Sequence, residues 1–467
     1  MPSPAPEPLS PRPLSIWLVN PLDAIPGEGA APMRVWSLAR VLAGRGHDVI
    51  WWTATWSPHR RAIRRMPTGI REDEGFTVRP VAVRPYDRVI SLARLASDRD
   101  FGRNFERLAN ETVASGQLQR PDIVLSSLPP IDGAEAALRV ARRTDAVLVV
   151  DLVELWPEGL ESELPGPAFA RGLVAAWFLH GLERRRDQVV AAADALSATS
   201  TTALATACAA ERLESGGPRP AALPLIGGRP AAEERPWHVC PVGAYPQEFG
   251  SPPRRIDAVP LPGADTGPLP PRPLQCVVTG DLDRSFDLDA FVTALRLLDA
   301  GTVPVTIHVV GTGSTEAVIR KAAASLRGNC RLELHGEKTR DATVRQVAGC
   351  DVGLVCLRSE TRCVLPVAAC EFASAGLALV NGLSGELQQL LDRHDAGVAY
   401  HAGNGASLAD AITALASNRR RLGELREAAR RLAAAEFDRE ITYAAFADWL
   451  ETLCGQQPLP PGNRCGQ

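Results

Sequence analysis

The run CVLPVAACEFASAGLALV, residues 363–380, contains one acid, Glu371, among small and apolar residues, with Gly376 ahead of a closing apolar segment. A lone carboxylate there has a chemical reason if the segment forms a helix at the carboxyl edge of a parallel sheet. Open α/β sheets bind their ligands along that edge, and an ionised carboxylate accepts both hydroxyls of a ribose in a paired hydrogen bond. The competing assignment is an ordinary glutamate on a solvent-facing helix.

The segments before it support the sheet. LQCVVTG (274–280), VTIHVVG (305–311), RLELHG (331–336) and DVGLVCL (351–357) are short apolar runs, each with a glycine or polar turn at or past its end and helix-compatible sequence after it. The first half repeats the plan. LSIWLVN (14–20) reads as a buried strand and is followed by a loop with Gly27 and Gly29. Val35, Leu38, Ala39 and Leu42 then recur at helical spacing up to Gly44 and Gly46, and DVIWWT (48–53) is the next strand. FTVRPVAV, PDIVLSS, AVLVVDL and DALSATS continue the alternation, which predicts parallel sheets with right-handed crossovers.

The fold class expected is therefore α/β, with two doubly wound Rossmann-like domains facing each other across a cleft. The boundaries expected are a disordered start (1–13), a first domain (14–213), a Pro-rich linker (214–273), a second domain (274–437), a terminal helix crossing back to the first domain (438–454) and a disordered tail (455–467).

Composition excludes several classes. A net charge of -3 offers no basic excess for a nucleic-acid backbone, so no nucleic-acid partner is expected. The proline-rich start lacks a signal-peptide pattern, and no apolar run is long enough to cross a bilayer, which predicts a soluble, cytoplasmic protein. Ten cysteines are spread singly with no C-x-x-C pair, so neither a disulfide framework nor a zinc site is expected, and Cys350, Cys356, Cys363 and Cys370 read as packing groups. Lys321 and Lys338 are the only lysines, so a bound phosphate would meet arginine.

The loop GDLDRSFDLDAF begins at Gly280, carries Arg284 and enters a helix with Asp287 at the N-cap position. Glycine lets a diphosphate approach the backbone, the helix start offers free N–H groups, and arginine neutralises developing charge. VVGTGS offers a second close approach at Gly311 and Gly313. Each turn alone is equally an ordinary βα loop. The two DLD tripeptides (281–283 and 287–289) are read as capping and solvated acids rather than as metal ligands.

With these strings in place, residues 274–400 resemble the donor domain of GT-B nucleotide-sugar glycosyltransferases, in the retaining group called group 1 or family four. GDLDRSFDL, VVGTGS, LPVAACEFASAGLALV and SGELQQLLDRHDAGVAYHAGN carry the resemblance, the last including the family's glycine-glutamate pair as Gly385 and Glu386. The first domain is similar to the same group in GEGAAPMRVWSLARVLAGRGHDVIWWTA and DLVELWPEG. The resemblance implies metal-independent transfer from a nucleotide sugar, of UDP type, to a small-molecule or lipid-linked acceptor, with no cofactor beyond that co-substrate.

Carried over by motif, Glu371 takes the ribose-binding second position of an E-x7-E pair, with Gly280, Arg284 and Gly311 near the diphosphate. Gly29 and Arg34 border the acceptor, and Glu154 and Asp151 are the acid-base candidates beside Arg284. Two positions depart from the family: Cys363 stands where the first glutamate belongs, and Ala368 where a lysine is usual. Either Arg358 or Arg362 supplies the missing cation, or the donor site has weakened; Glu360 is the alternative first acid. A non-catalytic partner protein and a nucleotide-sugar epimerase are the competing functions.

In PAFARGLVAAWFLHGLERRRDQVV (167–190), apolar residues lie on adjoining helical faces ahead of Arg184–Arg186, which suits either a membrane surface or packing within the first domain. Eight of the nine tryptophans precede residue 240, as expected of an aromatic acceptor pocket or of a core built from large residues.

Overall fold

The computed structural model describes residues 12–455 apart from 26, 29–32, 65–68, 72–74, 89–90, 155, 158–167, 215–234, 251–271, 360 and 362. Gly29, Glu360, Arg362, the two chain ends and most of the expected linker lie outside the described residues.

The first domain runs β1 (Ser15–Val19), α1 (Arg34–Gly44), β2 (Asp48–Ala54), β3 (Trp56–Ser57), β4 (Ala62–Ile63), β5 (Gly69–Arg71), β6 (Phe76–Val81), α2 (Leu92–Ala114), β7 (Ile123–Leu128), α3 (Ile131–Thr144), β8 (Val147–Leu152), α4 (Ala168–Ala192), β9 (Ala195–Ala198), α5 (Thr201–Glu214) and β10 (Trp237–Val239). Its sheet has the order β10-β9-β8-β7-β1-β2-β6-β5. Every pair is parallel except β5, which runs antiparallel to β6 at one edge. β1 and β7 are buried along their whole length, as central strands covered on both faces must be.

The second domain runs β11 (Leu274–Thr279), α6 (Leu288–Ala300), β12 (Val305–Val310), α7 (Glu316–Ser325), β13 (Cys330–Gly336), α8 (Arg340–Ala348), β14 (Val352–Val355), α9 (Val367–Ser374), β15 (Ala378–Asn381), α10 (Glu386–His394), β16 (Gly397–Ala399), α11 (Gly405–Ser417) and α12 (Arg419–Leu432). Its six strands are all parallel in the order β13-β12-β11-β14-β15-β16.

Past a π-helical turn, α13 (Arg439–Leu453) returns to the first domain. Tyr443, Phe446, Ala447 and Leu450 share one apolar core with Leu14, Val35, Leu38 and Trp51. Arg45 donates to Asp448 at 2.7 Å and Glu451 at 3.0 Å. The Leu14 amide donates to His47 Nδ1, which leaves Nε2 as the protonated nitrogen facing Glu451 at 2.9 Å.

The structure corrects several expectations. Residues 214–273 are not linker throughout: Trp237–Val239 pairs in parallel with β9, and the chain then makes a short 3-10 turn at Pro246–Phe249. A three-residue strand between proline-rich stretches is too short for its period to show. Trp17, Trp51 and Trp52 are fully buried on the central strands, so they belong to the core and not to a pocket. On α4, Leu179 and Leu182 are buried and Arg185 is held by Glu135 and Asp132, which favours packing over a membrane face for this part of the helix. Among the described residues no helix is long and apolar enough to cross a membrane.

Arg34 and Asp151, expected beside the acceptor, instead form a buried bidentate pair, with side chains 3% and 1% exposed. Nε and Nη2 of Arg34 donate to the two carboxylate oxygens at 2.7 and 2.8 Å, and Nη1 donates to the Cys240 carbonyl at 2.5 Å. Ser197 donates to Asp151 at 2.6 Å, and the guanidinium lies 5.1 Å from the Phe446 ring centroid. Burial opposes the arginine's charge, but Asp151, together with Cys240 and Tyr443, more than offsets it and the Arg34 pKa rises. With every polar atom of the pair engaged inside the core, neither side chain has surface to offer a substrate. Removing one partner strands the other charge, so Arg34→Ala should cost about 3–5 kcal/mol in urea unfolding. Replacing both with apolar residues should cost much less; equal losses would contradict the pairing.

Candidate active site between the two sheets

Both sheets reverse their strand order at one point, between β1 and β7 in the first and between β11 and β14 in the second. The loops leaving such neighbours diverge and open a crevice at the carboxyl ends of the strands. In the second domain the crevice lies between the loop after β11, which starts at Gly280, and the loop after β14, which leads to Cys363 and α9.

Gly280 and Gly311 have φ of +115° and +144°, and a Cβ on Gly311 would stand 1.9 Å from the Gly280 carbonyl oxygen. Gly311 is therefore needed for the two turns to pack, and Gly280 for its positive φ, whatever approaches them. Space is open at the Cβ position of Gly280 itself.

The loops on either side of the switch point are joined by a bridge between Phe286 and Leu357. Arg358 donates its backbone N–H to Ser285 O at 2.9 Å and its Nε to Phe286 O at 3.3 Å. Arg284, exposed on the first loop, thus stands on the same edge as Arg358. Asp287 occupies the N-cap position of α6, but its carboxylate accepts from the Gly403 amide at 2.6 Å and makes no capping bond. Burial, reinforced by Asp283 and Glu337, pushes the Asp281 carboxyl up, and His59 of the first domain opposes that shift.

Glu371 sits on α9, which can lie close against the sheet because β14 contains Gly353: a Cβ there would come within 2.3 Å of Phe372. The carboxylate is 12% exposed and accepts a hydrogen bond from Arg340, at the start of α8 beyond β13. Arg340 also bonds Glu248 at 2.5 Å and lies 5.7 Å from the Phe249 ring centroid. Burial opposes its charge, and the two carboxylates more than offset that, so the Arg340 pKa is raised. Arg340 was not among the residues expected at the site; its signal in the sequence is a basic residue at a helix start just past the turn that ends RLELHG.

Glu154 follows β8 on the first domain and reaches solvent, yet desolvation by the surrounding protein raises its carboxyl pKa, opposed by Arg94 and reinforced by Asp23. Across the interface, Cys363 is pushed up to about 11, first by desolvation and then by the charge of Glu154. Glu154 of one domain therefore faces the position where the E-x7-E pattern lacks its first acid. Nearby contacts join the two walls: Glu386 accepts from the Thr201 and Thr202 amides at 3.1 and 3.0 Å, at the start of α5.

Beyond the ends of β1, β2 and β6 lies a small pocket lined by Leu22, Trp56, Tyr86, Asp98 and Phe101. Trp56 Nε1 is buried there with no hydrogen-bond partner among the described residues. Asp98 pairs with Arg94 at 3.1 Å, but burial dominates and raises its pKa to about 6.

Residues 273–418 match the family of group 1 glycosyl transferases. The second domain carries that match. Among curated proteins none matches the sequence. Among solved structures, the chain is similar to Anabaena Alr3699/HepE in complex with UDP-glucose, at 15% identity and TM-score 0.59, over 95% of this chain and 100% of that one. It is similar to sucrose-phosphate synthase (tll1590) from Thermosynechococcus elongatus at 14% identity and TM-score 0.66, over 95% and 99%. It is similar also to trehalose-6-phosphate from E. coli bound with UDP-2-fluoro glucose, at 14% identity and TM-score 0.61, over 95% and 100%. At these identities the likeness establishes the fold: two α/β domains in the GT-B arrangement.

The raised pKa of Asp98 has a consequence for stability. A carboxyl whose pKa is higher folded than unfolded stabilises below the unfolded value, near 4, and loses that contribution as pH rises through about 6. Relative to Asp98→Asn, the wild type should therefore lose up to about 3 kcal/mol between pH 4 and 7 in urea unfolding. A pH-independent difference between the two proteins would contradict the burial assigned to Asp98.

Proposed function

We propose that the protein transfers a sugar from a UDP-type nucleotide sugar to an acceptor held on the first domain, with retention and without a metal ion. One observation carries the reading. Gly280, Arg284, Gly311 and Arg358 lie on loops at the carboxyl edge of the second sheet, Glu371 lies in the helix that follows one of them, and the charge of Glu154 reaches Cys363 from the first domain. The group 1 match over the second domain supports it, as do the similar structures that hold UDP-glucose and UDP-2-fluoro glucose.

In this reading the diphosphate lies over Gly280, where no side chain intrudes, and Arg284 and Arg358 balance the charge that grows on it as the sugar–phosphate bond breaks. Glu371 accepts the ribose hydroxyls and shares its carboxylate with Arg340. Glu154, with its pKa raised towards the working range of a general base, holds the acceptor hydroxyl as the new glycosidic bond forms. Domain closure excludes water from the reacting atoms. Transfer to a small-molecule or lipid-linked acceptor, in polysaccharide or specialised-metabolite biosynthesis, fits the same arrangement.

A second reading is favoured by two specific features. Cys363 is neutral at physiological pH where the family has a carboxylate, and Arg340 already occupies Glu371. A GT-B protein that binds a partner and turns nothing over would have both. An epimerase would convert the donor with no acceptor present.

Incubating the purified protein with a panel of nucleotide sugars, with product mass spectrometry and donor calorimetry, separates the three. Transfer is the expected outcome, and failure of every donor to bind would sink the proposal. Given transfer, Arg284→Ala should lower kcat on the order of 100-fold, about 3 kcal/mol. Glu371→Gln should instead weaken UDP binding in calorimetry while circular dichroism stays unchanged.

A further inference from the structure

Two strands of the second sheet place three metal-ligating side chains together, apart from the loops just described. His308 and Glu333 are register partners on β12 and β13. The ladder then shifts between Val309 and Val310, skipping His335, which lies two residues beyond Glu333 and so on the same face. Among the described residues this trio is the one group of histidines, cysteines and acids spaced to hold a metal ion.

The donor atoms converge. His308 Nδ1 lies 3.0 Å from His335 Nε2 and 3.3 Å from Glu333 Oε2, and the last two are 3.9 Å apart. The point equidistant from all three is about 2.0 Å from each, which is the length of zinc–imidazole and zinc–carboxylate bonds.

The surrounding hydrogen bonds orient these groups. Gln275 Nε2 donates to the Pro273 carbonyl at 3.1 Å, which turns Gln275 Oε1 towards His308 as an acceptor at 2.9 Å. His308 Nε2 therefore carries the proton, and Nδ1 presents a bare lone pair to Glu333 and His335. An outer acceptor that sets the tautomer of a ligating histidine is how protein metal sites are oriented. Arg331 holds the other oxygen, Oε1 of Glu333, at 2.9 Å, leaving Oε2 for the trio. Without an ion, His335 Nε2–H is placed to donate to the His308 Nδ1 lone pair at 3.0 Å; a divalent cation displaces this proton and takes up all three lone pairs, the Glu333 oxygen at 3.3 Å included. His308 is buried, while Glu333 and His335 are 30% and 19% exposed at the side chain, so the cup opens to solvent on one side.

We propose that His308, Glu333 and His335 bind one divalent transition-metal ion of the zinc class, with water completing a four-coordinate shell. Two imidazoles and a carboxylate suit zinc, cobalt or nickel rather than magnesium or calcium. The ion ties β13, the outermost strand, to β12 just below the turns where the Gly311 amide donates to the Gly336 carbonyl. It is independent of the sugar-transfer reading and plays no part in that chemistry. The absence of C-x-x-C pairs gave no hint of this site, because His308 and His335 meet through strand register across a crossover helix.

The test uses the full chain, stripped with a chelator, dialysed against Zn²⁺ and assayed by elemental analysis, with Co²⁺ absorption reporting the ligand type. One zinc per chain is expected, with cobalt d–d bands, no thiolate charge-transfer band, and a rise in Tm on adding Zn²⁺. His335→Gln and the more exposed Glu333→Gln should each weaken binding at least about tenfold and abolish the Tm rise. Should His335→Gln misfold by circular dichroism, Glu333→Gln decides alone. No retained zinc in the wild type, unchanged affinity in a folded variant, or a thiolate band would each overturn the site.

Discussion

The buried pair of Arg34 and Asp151 joins four parts of the chain at one point. Arg34 opens α1, Asp151 lies near the end of β8, the Cys240 carbonyl follows β10, and Phe446 comes from α13 at the far end of the sequence. Two ions at such depth persist because each finds its full set of partners there. The segment after β10 completes the hydrogen bonds around the guanidinium, and α13 lays the Phe446 ring beside it. Because α13 and the segment after β10 both connect directly to the second domain, this contact also anchors the crossing that holds the two halves side by side.

From that anchoring the cleft follows. Each sheet diverges at its switch point, and the loops there are freed from packing to carry polar groups. Glycine at 311 removes a side chain where backbone meets backbone, and glycine at 353 removes one where helix meets strand, which lets α9 and its carboxylate settle against the sheet. The electrostatics on either side differ in kind. The second-domain wall is populated by arginines on exposed loops and by the Glu248–Arg340–Glu371 network, whereas the first-domain wall holds acids raised by desolvation, at Glu154 and Asp98.

Sequence alone went far with the strands. Segments such as LQCVVTG and AVLVVDL are apolar on both faces, and their length and punctuating turns distinguish them from helices. It failed where a side chain's role depends on depth. Asp151 and Glu154 are three residues apart near the end of β8 and look equivalent in sequence, yet one is sealed against Arg34 and the other faces Cys363 across the interface. Arg34 failed for the same reason, since a cation at a helix start gives no sign of whether it points to solvent or into the core. Arg340 and the trio around His308 were invisible because their partners are distant in the chain.

What the sequence determined by itself was local. Periodicity and turn residues dictate which segments are strands and helices, and alternation of the two dictates a doubly wound architecture, because these depend on interactions between near neighbours along the chain. What only the tertiary structure decided was the pairing of charges: Glu371 with Arg340, Asp151 with Arg34, Glu154 opposite Cys363, and His308 beside Glu333 and His335. Desolvation and Coulomb interaction act through space, so the state of each ionisable group was settled by the register of strands and the meeting of domains.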